Sequence, residues 1–207
     1  MLECLEKEPL QFQVMIRLAI MTGCRLGELV ALQFGDFDYQ TNKVTISRSA
    51  YKLKGKPVQT KAPKDNDVRT VAVSADCIAL VRLLQEEKLR EAMRIGSKWC
   101  DGDWLFTQWN GEIMYPQTPS KQFAQFLEKN GIAHRKFHAL RHTSATLLLY
   151  GGVNIKQVQE RLGHGDVKTT NLYLHCIAEA DEQAANVLQN LLISHKVTEN
   201  SCSACNM

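Results

Sequence analysis

The chain has 207 residues, 44% of them apolar and 23% charged, which excludes disorder throughout and suffices for one sizeable hydrophobic core. No apolar run approaches the ~20 residues of a membrane span and no cleavable signal heads the chain, so a soluble intracellular protein is expected. The net charge of +3 excludes an extreme electrostatic character and by itself says little about partners.

Leu10, Val14, Leu18 and Met21 recur at helical spacing, so a helix is expected over Leu10–Met21, stopped by Thr22-Gly23. A second, short helix is expected from Arg25 to Gln33, ending at the turn Phe34-Gly35-Asp36. The period then changes to two. Val44, Ile46, Val71 and Val73 alternate with polar residues, with Gly55, Pro57 and Pro63 between them, so Lys43–Val73 reads as two or three short antiparallel strands. Ser74 and Asp76 start a helix from Cys77 to about Ile95, with Ile78, Val81, Leu84 and Leu89 on its apolar side. Residues 96–119 read as loop with a short strand at Trp104–Phe106, and a helix follows Ser120 through Phe123, Phe126 and Leu127 to Gly131. Helical segments are expected at His138–Tyr150, Ile155–Leu162, Val167–His175 and Ile177–His195, then a disordered tail from 196 to 207. The fold class is therefore mainly α with a small antiparallel β-sheet, an α+β domain over residues 1–195.

Charge is segregated along this order. Lys43–Ala72 holds eight basic residues against two acids, and Gly131–His175 holds six against two, whereas Cys176–Met207 is acidic. Such runs fit either a solvated face or a phosphate-binding surface, and a phosphate-binding surface brings a strong salt dependence. Seven cysteines, odd in number and irregularly spaced, point to reduced thiols. Cys202-x-x-Cys205 has no second ligand pair nearby, so no zinc site is expected.

Three separated segments carry the chemistry-bearing residues. In Thr22-Gly23-Cys24-Arg25-Leu26-Gly27-Glu28-Leu29, Arg25 begins a helix and Glu28 lies one turn on, where it can orient the guanidinium; a plain surface ion pair is the alternative. In His138-Ala139-Leu140-Arg141-His142 the three basic side chains sit at i, i+3 and i+4 of a helix start. The His138/His142 spacing suits a metal, but Ala139 stands where metal hydrolases of this spacing keep a general-base Glu, and Arg141 would repel a cation. Convergence on an anion is more consistent. In the third segment His164 lies in a Gly-flanked turn, Leu162-Gly163-His164-Gly165, and Tyr173 follows in Thr169-Thr170-Asn171-Leu172-Tyr173. Tyr173 alone would read as a core tyrosine; beside two arginines and two histidines it is a candidate nucleophile.

In order and spacing these motifs resemble the catalytic domain of the tyrosine recombinases, especially the phage and conjugative-transposon integrases, over roughly Leu10–Leu192. The resemblance implies a site-specific recombinase that cuts and rejoins duplex DNA through a 3′-phosphotyrosine, without metal, ATP or other cofactor. It gives Arg25 and Arg141 the scissile phosphate's oxygens, His138 proton transfer and positioning, His164 a hydrogen bond to the phosphate, and Tyr173 the attack, with Glu28 and His142 in support. A hairpin lysine acts as general acid in the family. Lys64 holds that place when Arg69–Val73 is aligned with the equivalent strand, and Lys61 is the runner-up. Lys52, Lys54, Lys56, Lys61, Arg69 and Lys168 are expected to contact DNA phosphates.

Family members carry amino-terminal DNA-binding regions, whereas this chain starts almost at the first catalytic helix, so a fragment of a longer protein with weak DNA affinity is expected. The 177–195 helix would pack on a neighbouring subunit, building up to a tetramer on DNA attachment sites, or dock on its own subunit; both stay open. Accessory DNA-bending proteins are compatible partners, and the implied location is bacterial nucleoid DNA in the cytoplasm. A type IB topoisomerase and a non-catalytic DNA-binding module are the rival readings. The second would lack an Arg or the Tyr, and none is missing.

Overall fold

A computed structural model describes residues 1–62 and 68–163. After a single helical turn, α1 (Leu2–Leu5), the chain enters α2 (Leu10–Thr22), whose Phe12, Val14, Met15, Ile16, Leu18 and Ala19 are all buried. With so wide an apolar surface α2 runs through the core, packed between α4 (Ala75–Ile95) and α6 (Ala139–Tyr150). It ends as expected, at Gly23 in the left-handed conformation, φ 59°, whose amide donates to the carbonyl of Ala19. The next helix, α3, covers only Leu26–Val30 and leads into a 3₁₀ turn at Phe34–Asp36.

The expected two or three strands are four, with a fifth before them. β1 (Phe37–Asp38), β2 (Lys43–Ile46) and β5 (Arg69–Ala72) form one antiparallel sheet in the order β1-β2-β5, while β3 (Ser49–Lys52) and β4 (Val58–Lys61) form a separate hairpin. The break falls at Arg48, whose guanidinium donates to Asp36 at 2.8 Å instead of facing a cross-strand partner. Val44 faces Val71 in register, both buried, and the outer pair Thr45 and Thr70 joins by hydroxyls at 3.1 Å. The same alternation puts Arg69 on the inner face with Val71.

Ser74 caps α4 by accepting from the amide of Cys77 at 3.3 Å. Cys77, Val81, Leu84 and Lys88 form its inner stripe, and Leu89, expected on the apolar side, is 57% exposed. The helical period from Val81 and Leu84 lands on position 88; its ammonium escapes the core by pairing with Glu91 at 2.9 Å. The strand expected at Trp104–Phe106 is reduced to a bridge between Gln33 and Trp104, although Leu105 and Phe106 are fully buried. α5 (Thr118–Lys129) starts three residues before the expected position because Pro119 is accommodated in its first turn. Its Phe126 meets Phe12 at 5.5 Å, and Phe123 meets Phe137 edge-on at 5.6 Å, closing the core beside α6.

α7 (Ile155–Leu162) begins on Asn154, whose side chain accepts from the amide of Lys156, and ends on Gly163 at φ 66°. Val158 and Leu162 pack on Ala145 of α6 in a small second core. The helices expected at 167–175 and 177–195 and the tail lie outside the described residues. Among the described residues no helix is long and apolar enough to cross a membrane, and Cys4, Cys24, Cys77 and Cys100 are free thiols.

Gly23 joins both cores: a Cβ there would strike Leu162 and come within 3.2 Å of the Ser144 hydroxyl oxygen, on top of a positive φ. Gly23→Ala is therefore expected to cost ~2 kcal/mol or more, read as a lower urea midpoint.

Candidate active site

The turn after α2 is held by its own polar groups. The Thr22 hydroxyl donates to the carbonyl of Leu18 at 2.7 Å and accepts from the amide of Cys24 at 3.2 Å. This leaves Arg25 extended, φ −70° and ψ 152°, as the N-cap of α3. Glu28, 3% exposed, folds back: Oε2 accepts from the Arg25 amide at 2.9 Å, and Oε1 from the Arg25 guanidinium at 2.8 Å. The expected Arg25–Glu28 pair thus forms, as part of something larger. Arg69, on the inner face of β5, places Nη2 at 2.6 Å from Glu28 Oε2 and donates through Nε to the carbonyl of Arg161 at 3.0 Å.

Burial would by itself raise the pKa of Glu28. The hydrogen bond and charge of Arg69, with the amide and guanidinium of Arg25, outweigh it and hold the carboxyl below the usual range. Arg69, expected to contact DNA phosphates, sits differently from the exposed hairpin lysines. Its side chain is buried and engaged with a carboxylate and a carbonyl, facing the core rather than solvent.

Arg141 arrives from the first turn of α6, 4% exposed, and donates to the carbonyl of Gly23 at 2.7 Å. Burial first, then the charge of Arg25, lowers its pKa to about 10, so it remains a guanidinium at neutral pH. Arg25 keeps half of its side chain exposed, and its second amino group donates to the carbonyl of Gly163 at 2.7 Å. His138, exposed, stands at the N-cap position of α6 without a side-chain cap bond, and its ring meets His142 edge-on at 4.8 Å. Partial burial of the ring, and then the charges of His142, Arg141 and Arg25, keep its pKa below the ordinary 6.5. Burial drives the Cys24 thiol up to about 11, so the cysteine beside Arg25 stays protonated and is no nucleophile.

Arg25, Glu28, His138, Arg141 and His142 therefore gather as expected. Lys64, His164, Lys168 and Tyr173 lie outside the described residues. Of the remaining lysines, Lys52 sits over the Tyr115 ring at 3.7 Å, Lys61 lies 5.4 Å from the Tyr51 ring, and Lys54 and Lys56 are exposed on the β3–β4 turn. The sequence reading passed over His134, Arg135 and Lys136, which line an open hollow of about 350 Å³ with His138; three consecutive basic residues were the available signal. A hollow of about 560 Å³ between the hairpin and residues 100–115 lies apart from the convergent cations. Among the described residues no three His, Cys, Asp or Glu side chains group to hold a metal ion. Two guanidiniums and an imidazole thus lie near one another, a residue set whose donors suit a phosphate-like anion.

Residues 1–179 match the model of the phage integrase family. Similar curated proteins include a tyrosine recombinase XerC-like protein of Caldanaerobacter subterraneus subsp. tengcongensis, 29% identical over 88% of this chain and 50% of its own length. The ICEBs1 integrase of Bacillus subtilis is 27% identical over 90% of this chain and 50% of its own. The chain spans about half the length of these relatives. Among solved structures, the Tn1549 transposon integrase in complex with transposon right end DNA superposes with a TM-score of 0.71 at 20% identity, covering 88% of this chain and 62% of that one, a likeness of fold. The XerH site-specific recombinase in its post-cleavage complex with palindromic difH substrate gives 0.66 at 26% identity, covering 91% and 50%.

Replacing Glu28 by Gln keeps its shape and removes the countercharge of two guanidiniums; a loss of ~3 kcal/mol in urea unfolding is expected. His138 supplies a pH dependence. Its unfolded form takes up a proton near 6.5, while the folded form resists until lower pH. As the pH falls through that range the unfolded state binds more protons and stability drops; above it both forms are neutral and nothing is lost. The urea midpoint of the wild type should therefore fall more steeply between pH 7.5 and 5 than that of His138→Gln.

Proposed function

The chain belongs to the phage integrase family, and we propose from its site that it is the catalytic part of a site-specific recombinase acting on duplex DNA through a 3′-phosphotyrosine, without metal or ATP. The observation that carries this reading is the delivery of Arg25 and Arg141 to one turn, each anchored to backbone or carboxylate, with His138 beside them. Such donors aim fixed positive charge at a phosphate whose negative charge grows in the transition state, and one well-placed donor contributes ~3 kcal/mol.

In this reading the Tyr173 oxygen attacks the scissile phosphorus, and the P–O bond to the 5′ oxygen breaks. Arg25 and Arg141 hold the non-bridging oxygens, and His164 donates a hydrogen bond to the phosphate. His138, neutral at physiological pH, accepts the proton of the attacking hydroxyl. Lys64, with Lys61 as the alternative, protonates the departing 5′ oxygen. The tyrosyl ester keeps the bond energy, so a 5′ hydroxyl reseals it in the reverse reaction. Lys52, Lys54, Lys56, Lys61 and Lys168 contact backbone phosphates, and Glu28 and His142 support the arginines and His138. Residues 1–195 act as one catalytic domain on bacterial nucleoid DNA, with residues 177–195 either packing on a neighbouring subunit or docking on their own, and with accessory DNA-bending proteins as compatible partners. The printed names of the relatives, recombinases and integrases, and a post-cleavage DNA complex among the similar structures agree with this reading.

The test is a nicked duplex cut from the DNA bordering the chain's own gene, incubated in EDTA with wild type and Tyr173→Phe and run on a denaturing gel. Wild type should yield a protein–DNA adduct and Tyr173→Phe none, while Arg141→Ala slows it ~10²–10³-fold. An adduct that survives Tyr173→Phe overturns the assignment.

A further inference from the structure

Arg161 belongs to none of the motifs above, yet it joins the elements that carry them. Its backbone lies in the last turn of α7, where a cation suits the helix dipole, but its guanidinium turns away from its own helix. Nη2 donates at 2.7 Å to the carbonyl of Met21, in the last turn of α2, and at 2.7 Å to the carbonyl of Ala72, in β5. Its own carbonyl accepts from Nε of Arg69, the residue that holds Glu28. Two residues on, the carbonyl of Gly163 accepts from Arg25 at 2.7 Å. The end of α7 is thus held by four hydrogen bonds, to Met21 of α2, to Ala72 and Arg69 of β5, and to Arg25. α2 runs into the turn of Gly23 and Arg25, and β5 carries Arg69.

We propose that Arg161 is a positioning residue for strand cleavage. By fixing the end of α7 against α2 and β5, it keeps the Gly163 carbonyl on Arg25. This rests on the function proposed above. In this role Arg161 acts through Arg25 and through the backbone it anchors. A shift of about 1 Å at such a support is enough to cost a reaction up to 100-fold. A lysine in its place has a shorter reach and a compact ammonium, and holds the two carbonyls only in part.

The experiment compares wild type, Arg161→Gln and Arg161→Lys by adduct formation in a single turnover with saturating nicked duplex, by affinity for that duplex, and by thermal midpoint. Arg161→Gln is expected to bind within about two-fold of wild type and to form adduct about 10–100-fold more slowly at temperatures where it remains folded. Arg161→Lys should recover part of the rate. The proposal is overturned if Arg161→Gln reacts at the wild-type rate, or if its slowing is matched by weaker binding. Should Arg161→Gln not fold, the comparison of Arg161→Lys with wild type decides by the same criteria. A wild type that forms no adduct counts against the proposed function, and amide hydrogen exchange then decides on Arg161 alone. Arg161→Lys should speed exchange at residues 160–163 at least about ten-fold relative to residues 14–19, and unchanged exchange overturns the positioning role.

Discussion

A single carboxylate, buried under the turn between α2 and α3, organises the cationic side of this molecule. Glu28 is too short of solvent to be charged alone, and it stays charged because Arg25 and Arg69 supply donors at 2.8 and 2.6 Å. α3, with five residues, has little helical stability of its own. Its start is set by the reciprocal bonds between Arg25 and Glu28, and its approach to the hairpin by Gly27, where a Cβ would meet the Ser49 hydroxyl oxygen at 2.6 Å and the Ala50 carbonyl at 2.8 Å. From Glu28 the fastening runs through Arg69 into β5 and on to the carbonyl of Arg161, so α3, the sheet and α7 are tied to one charge.

Around that carboxylate the balance of charge is uneven. Arg25, Arg69 and Arg141 lie around the one carboxylate of Glu28; burial first, and then the charge of Arg25, lowers the pKa of Arg141, and burial first, then His142, Arg141 and Arg25, lowers that of His138. Electrostatic conflict of this kind is found at functional sites and in structural ion-pair networks alike. Burial gives the two site arginines different characters. Arg141 is locked against the Gly23 carbonyl and serves as a fixed donor, whereas Arg25 stays half open between Glu28 and Gly163.

Much of this was legible from local pattern. The 3.6-residue period marked α2 and α4 to within two residues at either end, α5 to within three, and α7 at both ends, because each buries a broad stripe. Errors arose where two periods or two roles competed. Leu89 looked like core by composition, but the stripe through Val81 and Leu84 reaches Lys88. Arg69 closes a basic run, yet the alternation Arg69-x-Val71-x-Val73 places it on the inner face of β5. The division of Lys43–Val73 into two sheets depended on Arg48 reaching Asp36, a contact no periodicity encodes.

The sequence by itself determined the α+β class, the helices with broad apolar stripes, and the identity of Arg25, Glu28, His138, Arg141 and His142 as a set, since motif order and spacing are local properties of the chain. Only the tertiary structure decided how that set is held. Arg141 ends on the carbonyl of Gly23, Arg25 on that of Gly163, and Arg161 on those of Met21 and Ala72. A backbone carbonyl is the same acceptor at every position, so no residue type announces which one a guanidinium will choose. The choice follows from how α2, β5, α6 and α7 pack, and the core settles that through contacts distant in sequence.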